Sequence, residues 1–219
     1  MISERLHEIV RTLPEHVTLI AVSKTKPVSA IEEAYNAGQR HFGENKLQEM
    51  MDKYPQLPKD IHWHLIGHLQ SNKVKYIAPF VSLIHSVDSM KLLQEINKQA
   101  VKHNRVIDCL LQFHIATEET KFGLDLEEAK ALLDSEEYRS LHNVRIVGVM
   151  GMASFTDEEL QLRKEFSELR SIFDRLKNNW FPHENSFAVI SMGMSGDYRI
   201  AVEEGSTMVR VGSSIFGSR

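Results

Sequence analysis

A chain of 219 residues with 42% hydrophobic and 26% charged residues can bury a substantial core, and no low-complexity linker divides it, so residues 1–219 are expected to form one domain. Thirty acidic side chains against 26 lysines and arginines leave a formal net charge of −4, which excludes binding driven by neutralising a nucleic-acid backbone. A single cysteine, Cys109, excludes an intramolecular disulfide framework and a thiolate metal cluster, and no apolar run reaches the length of a membrane span. A cytoplasmic protein off the membrane is the expectation.

The first element expected is a short amphipathic helix over Met1–Val10. Short apolar runs then alternate with longer stretches of helical period, the pattern of repeated β-α units around a parallel sheet. Eight strands are expected, over Thr18–Ser23, Arg40–Phe42, His62–Ile66, Val81–Ser86, Val106–Phe113, Val144–Met150, Ser186–Ser191 and Thr207–Val211. Helices are expected between them, over Val28–Ala37, Asn45–Lys53, Asn72–Ala78, Ser89–His103, Leu126–Asp134, Asp157–Asn178 and Gly196–Glu204. Eight such units point to a (β/α)8 TIM barrel with an extra N-terminal helix, whose chemistry belongs at the C-terminal strand ends.

Lys24 closes the apolar run Val17-Thr-Leu-Ile-Ala-Val-Ser-Lys24, and strand alternation puts it on one face with Ile20 and Val22. A lysine shielded from water at a strand end is a natural amine nucleophile for a carbonyl carbon, the chemistry of a Schiff base. Lys26 competes for that role but stands immediately before Pro27, where the chain is already turning.

Near the other end, Ser191-Met-Gly-Met-Ser-Gly-Asp197 and Gly205-Ser-Thr-Met-Val-Arg-Val-Gly-Ser-Ser-Ile-Phe-Gly217 are rich in glycine and hydroxyls and bracket one arginine, Arg210. Ser195 or Asp197 is expected to cap the following helix, and Gly212, Ser213 and Ser214 form a second nest of donors for an anion. Barrel closure brings strand eight beside strand one, and Arg210 beside Lys24. An ion pair of Arg210 with Glu203 or Glu204 is the alternative use of that arginine. A guanidinium can only donate, so a pyridine nitrogen facing it must accept and stay unprotonated. A ligand with a phosphate at one end and an aldehyde at the other suits both ends of this arrangement, and pyridoxal phosphate has both.

His62-x-His64 shares a strand face in the manner of a zinc or manganese hydrolase, but no bridging carboxylate at a strand end completes a ligand set, so no metal is expected.

The motifs Ala21-Val-Ser-Lys-Thr-Lys-Pro27, His41-Phe-Gly-Glu-Asn45, Trp63-His-Leu-Ile-Gly-His-Leu-Gln-Ser-Asn-Lys73, Ser86-Val-Asp-Ser89, Ser191-Met-Gly-Met-Ser195 and Gly205-Ser-Thr-Met-Val-Arg-Val-Gly212 run nearly end to end. On these the chain resembles the YggS/PROSC family of pyridoxal phosphate homeostasis proteins, whose fold is similar to the N-terminal barrel of alanine racemase. The resemblance implies that Lys24 forms an internal aldimine with pyridoxal 5′-phosphate and that Arg210 faces the pyridine nitrogen. It places the phosphate among Ser191, Ser195, Gly212 and Ser213, with Asn45 and His64 lining the pocket. It also implies a protein that binds, buffers or delivers the cofactor to apo enzymes that use it, as a monomer or weak dimer. The chain departs from the family pattern at Gln112-Phe-His114, where His114 is expected to alter the pocket wall, while Glu119-Thr-Lys121-Phe-Gly123 still matches.

Two other activities suit the same residues. An amino-acid racemase needs an acid/base on each face of the substrate carbon, and alanine racemase takes one from a second domain. A lysine aldolase would use Lys24 directly on a sugar phosphate and leave Arg210 for another task.

Overall fold

Eight parallel strands close in chain order, and the last returns to pair with the first. The computed structural model describes residues 1–119 and 122–218, so Thr120 and Lys121 of the Glu119–Gly123 match, and Arg219, lie outside the described residues. The strands are β1 (Thr18–Val22), β2 (His41–Glu44), β3 (His62–Leu65), β4 (Leu83–Val87), β5 (Ile107–Phe113), β6 (Val144–Gly151), β7 (Val189–Met194) and β8 (Met208–Val211).

The helices are α1 (Ile2–Thr12), α2 (Val28–Asn36), α3 (Leu47–Lys53), α4 (Val74–Ile77) and α5 (Met90–Lys102), followed by α6 (Leu126–Asp134), α7 (Glu136–Arg139), α8 (Glu159–Asn179), α9 (Tyr198–Glu203) and α10 (Ser213–Phe216). Local chemistry marks several of their starts. Ser89 accepts from the Leu92 N–H to open α5, and Asp125 with Glu128 forms a reciprocal capping box on α6, each cap contributing about 1 kcal/mol. Among the described residues no helix is long and apolar enough to cross a membrane.

Strand alternation divides the core in two. Inside the barrel, Ile20, Leu83, Leu110, Val147, Met150 and Met208 pack against one another. Between strands and helices lies the larger layer, which takes Leu19 and Ala21 from β1 and the aromatic rings of Phe42, Trp63, Phe113 and Phe166. Ile20 on β1 is the register partner of Arg210 on β8, so the barrel closure expected from the sequence holds.

Several boundaries differ from expectation by one to three residues. The second strand runs on through Gly43 and Glu44, which pair with His64 and Leu65 of β3, and Lys53 of α3 meets the buried Glu44 carboxylate. The seventh slides three residues toward its C-terminus, and Met192, Gly193 and Met194 are strand rather than loop. Val189 pairs with Gly148, whose φ of +157° and 1.8 Å clearance between a built Cβ and the Val189 carbonyl oxygen admit only glycine. The short α10 was not foreseen, and it begins at Ser213.

Candidate functional site

β1 ends at Val22, and the chain turns through Ser23, Lys24 and Thr25 at the C-terminal mouth of the barrel. Thr25 adopts φ 65°, a left-handed conformation unusual for a β-branched residue and one that persists only where the surroundings hold it. Here the surroundings are a buried charge cluster. The Thr25 N–H donates to Glu49 at 2.7 Å and the Ser23 hydroxyl to Glu44 at 2.6 Å. Lys53, 7% exposed, donates to the Ser23 carbonyl oxygen at 2.9 Å, to Glu44 at 2.7 Å and to Glu49 at 2.9 Å. Burial raises the Glu44 carboxyl pKa despite the Lys53 and Ser23 hydrogen bonds that oppose it. At Glu49 partial burial also pushes upward, but hydrogen bonds from Lys53 and Thr25 win and its pKa falls.

Lys24 itself is half-buried and, among the described residues, has neither a hydrogen bond nor an ion pair for its ammonium. Lys26 is instead tied down, its Nζ donating to the Ser218 carbonyl oxygen at 3.0 Å. Of the two candidate nucleophiles, Lys24 is the free one.

Arg210 is 3% exposed and donates to the Ser191 hydroxyl at 2.5 Å and to the Gly151 carbonyl oxygen at 3.1 Å. Burial lowers its pKa to about 10, with Asp197 acting in the opposite sense, so it is charged at neutral pH. Its alternative partners are engaged elsewhere. Glu203 and Glu204 both bind Arg163, at 2.6 and 3.0 Å.

Ser191, the last residue of the expected seventh strand, lies within β7. It stands inside the barrel on β7, wholly buried, and its hydroxyl also meets His85 Nδ1 at 2.9 Å. His85 Nε2 lies 2.9 Å from His64 Nδ1, and His64 Nε2 lies 3.0 Å from His41 Nδ1. His64 thus has both ring nitrogens occupied by other histidines. His62, its expected companion, is exposed and stacks on His41 with ring centroids 4.7 Å apart. Burial first, and neighbouring histidines second, lower the pKa values of His41, to about 4, and of His64. His85 is lowered by burial, then by His64 and Arg210.

The two glycine-rich segments meet at the mouth. The Gly212 N–H donates to the Ser195 hydroxyl at 3.1 Å, so these two join the loops to each other. Ser213 and Ser214 are exposed and open the four-residue α10, in which the N–H groups of Ile215 and Phe216 both donate to the Gly212 carbonyl oxygen at 2.9 Å. Asp197 accepts from the Met194 N–H at 2.6 Å, and makes no side-chain cap on α9. Asn45 follows β2 and is half-buried, and Gly67 sits so close that a Cβ there would lie 2.1 Å from the Asn45 carbonyl oxygen. His114 folds back on its own loop, with Nε2 2.7 Å from the Glu118 carbonyl oxygen.

Lys24, Asn45, Ser195, Gly212 and Ser213 thus lie in the segments that follow β1, β2, β7 and β8, with Arg210 just below them on β8 and Ser191 and His64 in the interior beneath. Sequence reasoning missed Lys53, Glu44, Glu49, His41 and His85. The Glu49–Lys53 spacing of four on α3 was one available signal, and histidines on three consecutive strands were another.

The family model of the alanine racemase N-terminal domain matches residues 1–219. A protein of Aquifex aeolicus named pyridoxal phosphate homeostasis protein is 42% identical over 205 residues, covering 92% of this chain and 86% of that protein. One of Escherichia coli with the same name is 37% identical over 210 residues, covering 94% and 87%. Among solved structures, PipY of Synechococcus elongatus with PLP bound superposes with a TM-score of 0.89 at 38% identity, covering 99% of this chain and 100% of that one. Alanine racemase of Clostridium difficile, at 15% identity and a TM-score of 0.81, shares the fold; this chain covers 59% of it. A closed eight-stranded barrel with a free lysine at the end of β1, matched along its length by such relatives, belongs to the pyridoxal phosphate homeostasis protein family.

Proposed function

We propose that this chain binds pyridoxal 5′-phosphate through a covalent bond at Lys24 and serves to buffer or deliver it. The observation that carries the reading is a lysine at the mouth that has no partner among the described residues, one strand away from a buried arginine. The names of the relatives and the PLP bound to PipY support it.

The residues present fit the group. Pyridoxal phosphate supplies an aldehyde that condenses with an amine with loss of one water, a ring nitrogen that accepts a hydrogen bond, and a phosphate. Lys24 Nζ is the amine, presented by a turn whose two flanking residues are held by Glu44, Lys53 and Glu49. Arg210 has only protons to offer a ring nitrogen and leaves it unprotonated, which weakens electron withdrawal and favours binding and release over turnover. Ser195, Ser213 and Ser214 are the phosphate donors, and Asn45 lines the mouth.

The test is an absorbance titration of the purified protein with pyridoxal phosphate, followed by borohydride reduction and peptide mapping. A yellow adduct fixed on Lys24 is expected. An adduct at another lysine overturns the attachment site, and no adduct at all overturns covalent binding and favours a lysine aldolase.

A further inference from the structure

Beneath Arg210 lies a row of polar groups that cofactor binding leaves unexplained. His41, His64 and His85 occupy inward positions on β2, β3 and β4, and the row climbs two residues per strand. His41 is level with His62, Gly43 with His64, and His85 stands two residues above Leu83, which is level with His64. The row then crosses the interior to Ser191 on β7 and Arg210 on β8. Four contacts of 3.0, 2.9, 2.9 and 2.5 Å connect the N-terminal opening of the barrel to the arginine at its mouth.

We infer that Arg210, Ser191, His85, His64 and His41 form one hydrogen-bond chain with a single direction, every link donating away from Arg210, which makes Ser191 and the three histidines positioning residues for that arginine.

The direction follows from counting protons. Arg210 can only donate, so the Ser191 oxygen accepts from it. Ser191 is fully buried and its hydroxyl has one other neighbour within hydrogen-bond reach, His85 Nδ1. If His85 Nδ1 donated, the serine oxygen would accept twice and its own proton would be stranded in the core without an acceptor. Ser191 therefore donates to His85 Nδ1, and His85 carries its proton on Nε2. That N–H meets His64 Nδ1, which accepts, and His64 in turn donates from Nε2 to His41 Nδ1. His41 is left with an Nε2–H at the N-terminal end, where it is only half-buried and stacks on the exposed His62.

Charge argues the same way. A protonated His64 would donate from both nitrogens, force His85 to donate at Ser191, and add a second buried cation three links from Arg210. The neutral set avoids both penalties. Its consequence is mechanical. Arg210 is held by Ser191 on one side and by the Gly151 carbonyl on the other, which fixes the orientation of its guanidinium. Asp197 is the acidic group that acts on it from the mouth.

The test uses the full-length protein without added cofactor, labelled with nitrogen-15 at histidine, and reads each tautomer from long-range proton–nitrogen correlations at neutral pH. His41, His64 and His85 are expected to carry protons on Nε2 alone. A proton on Nδ1 of His85 or His64 overturns the chain. Ser191→Ala removes the link to Arg210, and mixed tautomers at His85 and His64 are expected. A pattern unchanged by this substitution overturns the claim that Arg210 sets the direction. Should that variant fail to fold, the tautomers of the unsubstituted protein decide.

The role toward Arg210 rests on the proposed cofactor reading and has its own readout. His85→Leu is expected to weaken pyridoxal phosphate affinity about tenfold, the equivalent of one net hydrogen bond, and to shift the absorption maximum of the bound cofactor. Unaltered affinity and spectrum overturn the positioning role. Failure of the unsubstituted protein to bind the cofactor would remove that reading alone, since the tautomers are measured without it.

Discussion

Lys53 donates to the carbonyl oxygen of Ser23 at 2.9 Å, and Ser23 is the residue immediately before Lys24. The same ammonium holds Glu44, which has no exposed surface, at 2.7 Å. Lys53→Met is expected to lower stability by about 3–5 kcal/mol, because it leaves a buried carboxylate without its partner. Adding Glu44→Gln should recover part of the loss. Urea denaturation followed by circular dichroism measures both, and equal stability of the single and double variants would show that the carboxylate is not the source of the loss.

Lys24→Ala is expected to abolish the borohydride-fixed adduct while weaker, non-covalent cofactor binding survives through the phosphate donors. Lys26→Ala should keep the adduct, since its ammonium is committed to the Ser218 carbonyl. Intact-protein mass spectrometry after reduction separates the two. Retention of the adduct in Lys24→Ala would sink the assignment.

The histidine row gives stability a pH dependence of definite sign. His41, His64 and His85 all have native pKa values below the ordinary 6.5, His41 at about 4, so the unfolded chain takes up protons that the native state refuses. Their contribution is complete above pH 6.5 and is lost as pH falls below it, for His41 down to about 4. Each histidine that stays neutral adds about 1.4 kcal/mol per pH unit to the slope once the unfolded chain is protonated. Urea midpoints measured between neutral and acidic pH should fall steeply in the unsubstituted protein and less steeply in His64→Leu. Parallel slopes would contradict this account.

Gly67→Ala is a test of the mouth at the Asn45 loop. The added methyl would lie 2.1 Å from the Asn45 carbonyl oxygen, so the backbone of one loop must move. Steric insertions of this kind typically cost about 1–3 kcal/mol. Weaker pyridoxal phosphate binding with the barrel retained is expected from cofactor titration and circular dichroism; unchanged binding would place Asn45 outside the site.

Ser191 shows where sequence reading stopped. Its place closing the expected Ser186–Ser191 strand holds, where it pairs with Met150 and Met208, but its glycine-rich context gave no sign that its hydroxyl meets Arg210 and His85 inside the barrel. The period-2 pattern is blurred there because an interior row of a barrel accepts serine, histidine and arginine when they satisfy one another. Gly212 shows a related limit. A glycine flanked by serines offers an N–H to an anion, but that N–H donates to Ser195 from a neighbouring loop.

The order of strands, the barrel and the place of Arg210 beside the strand that Lys24 follows were determined by the sequence itself, because alternation along a strand and closure of eight parallel units are local or topological rules. Only the tertiary structure decided which charges are buried together. Lys53 reaches Ser23 across 30 positions and His85 reaches Ser191 across 106, and a hydrogen bond between residues so far apart leaves no periodic trace in the chain. It exists because strand tilt and helix docking bring side chains to within 3 Å of each other where water is excluded.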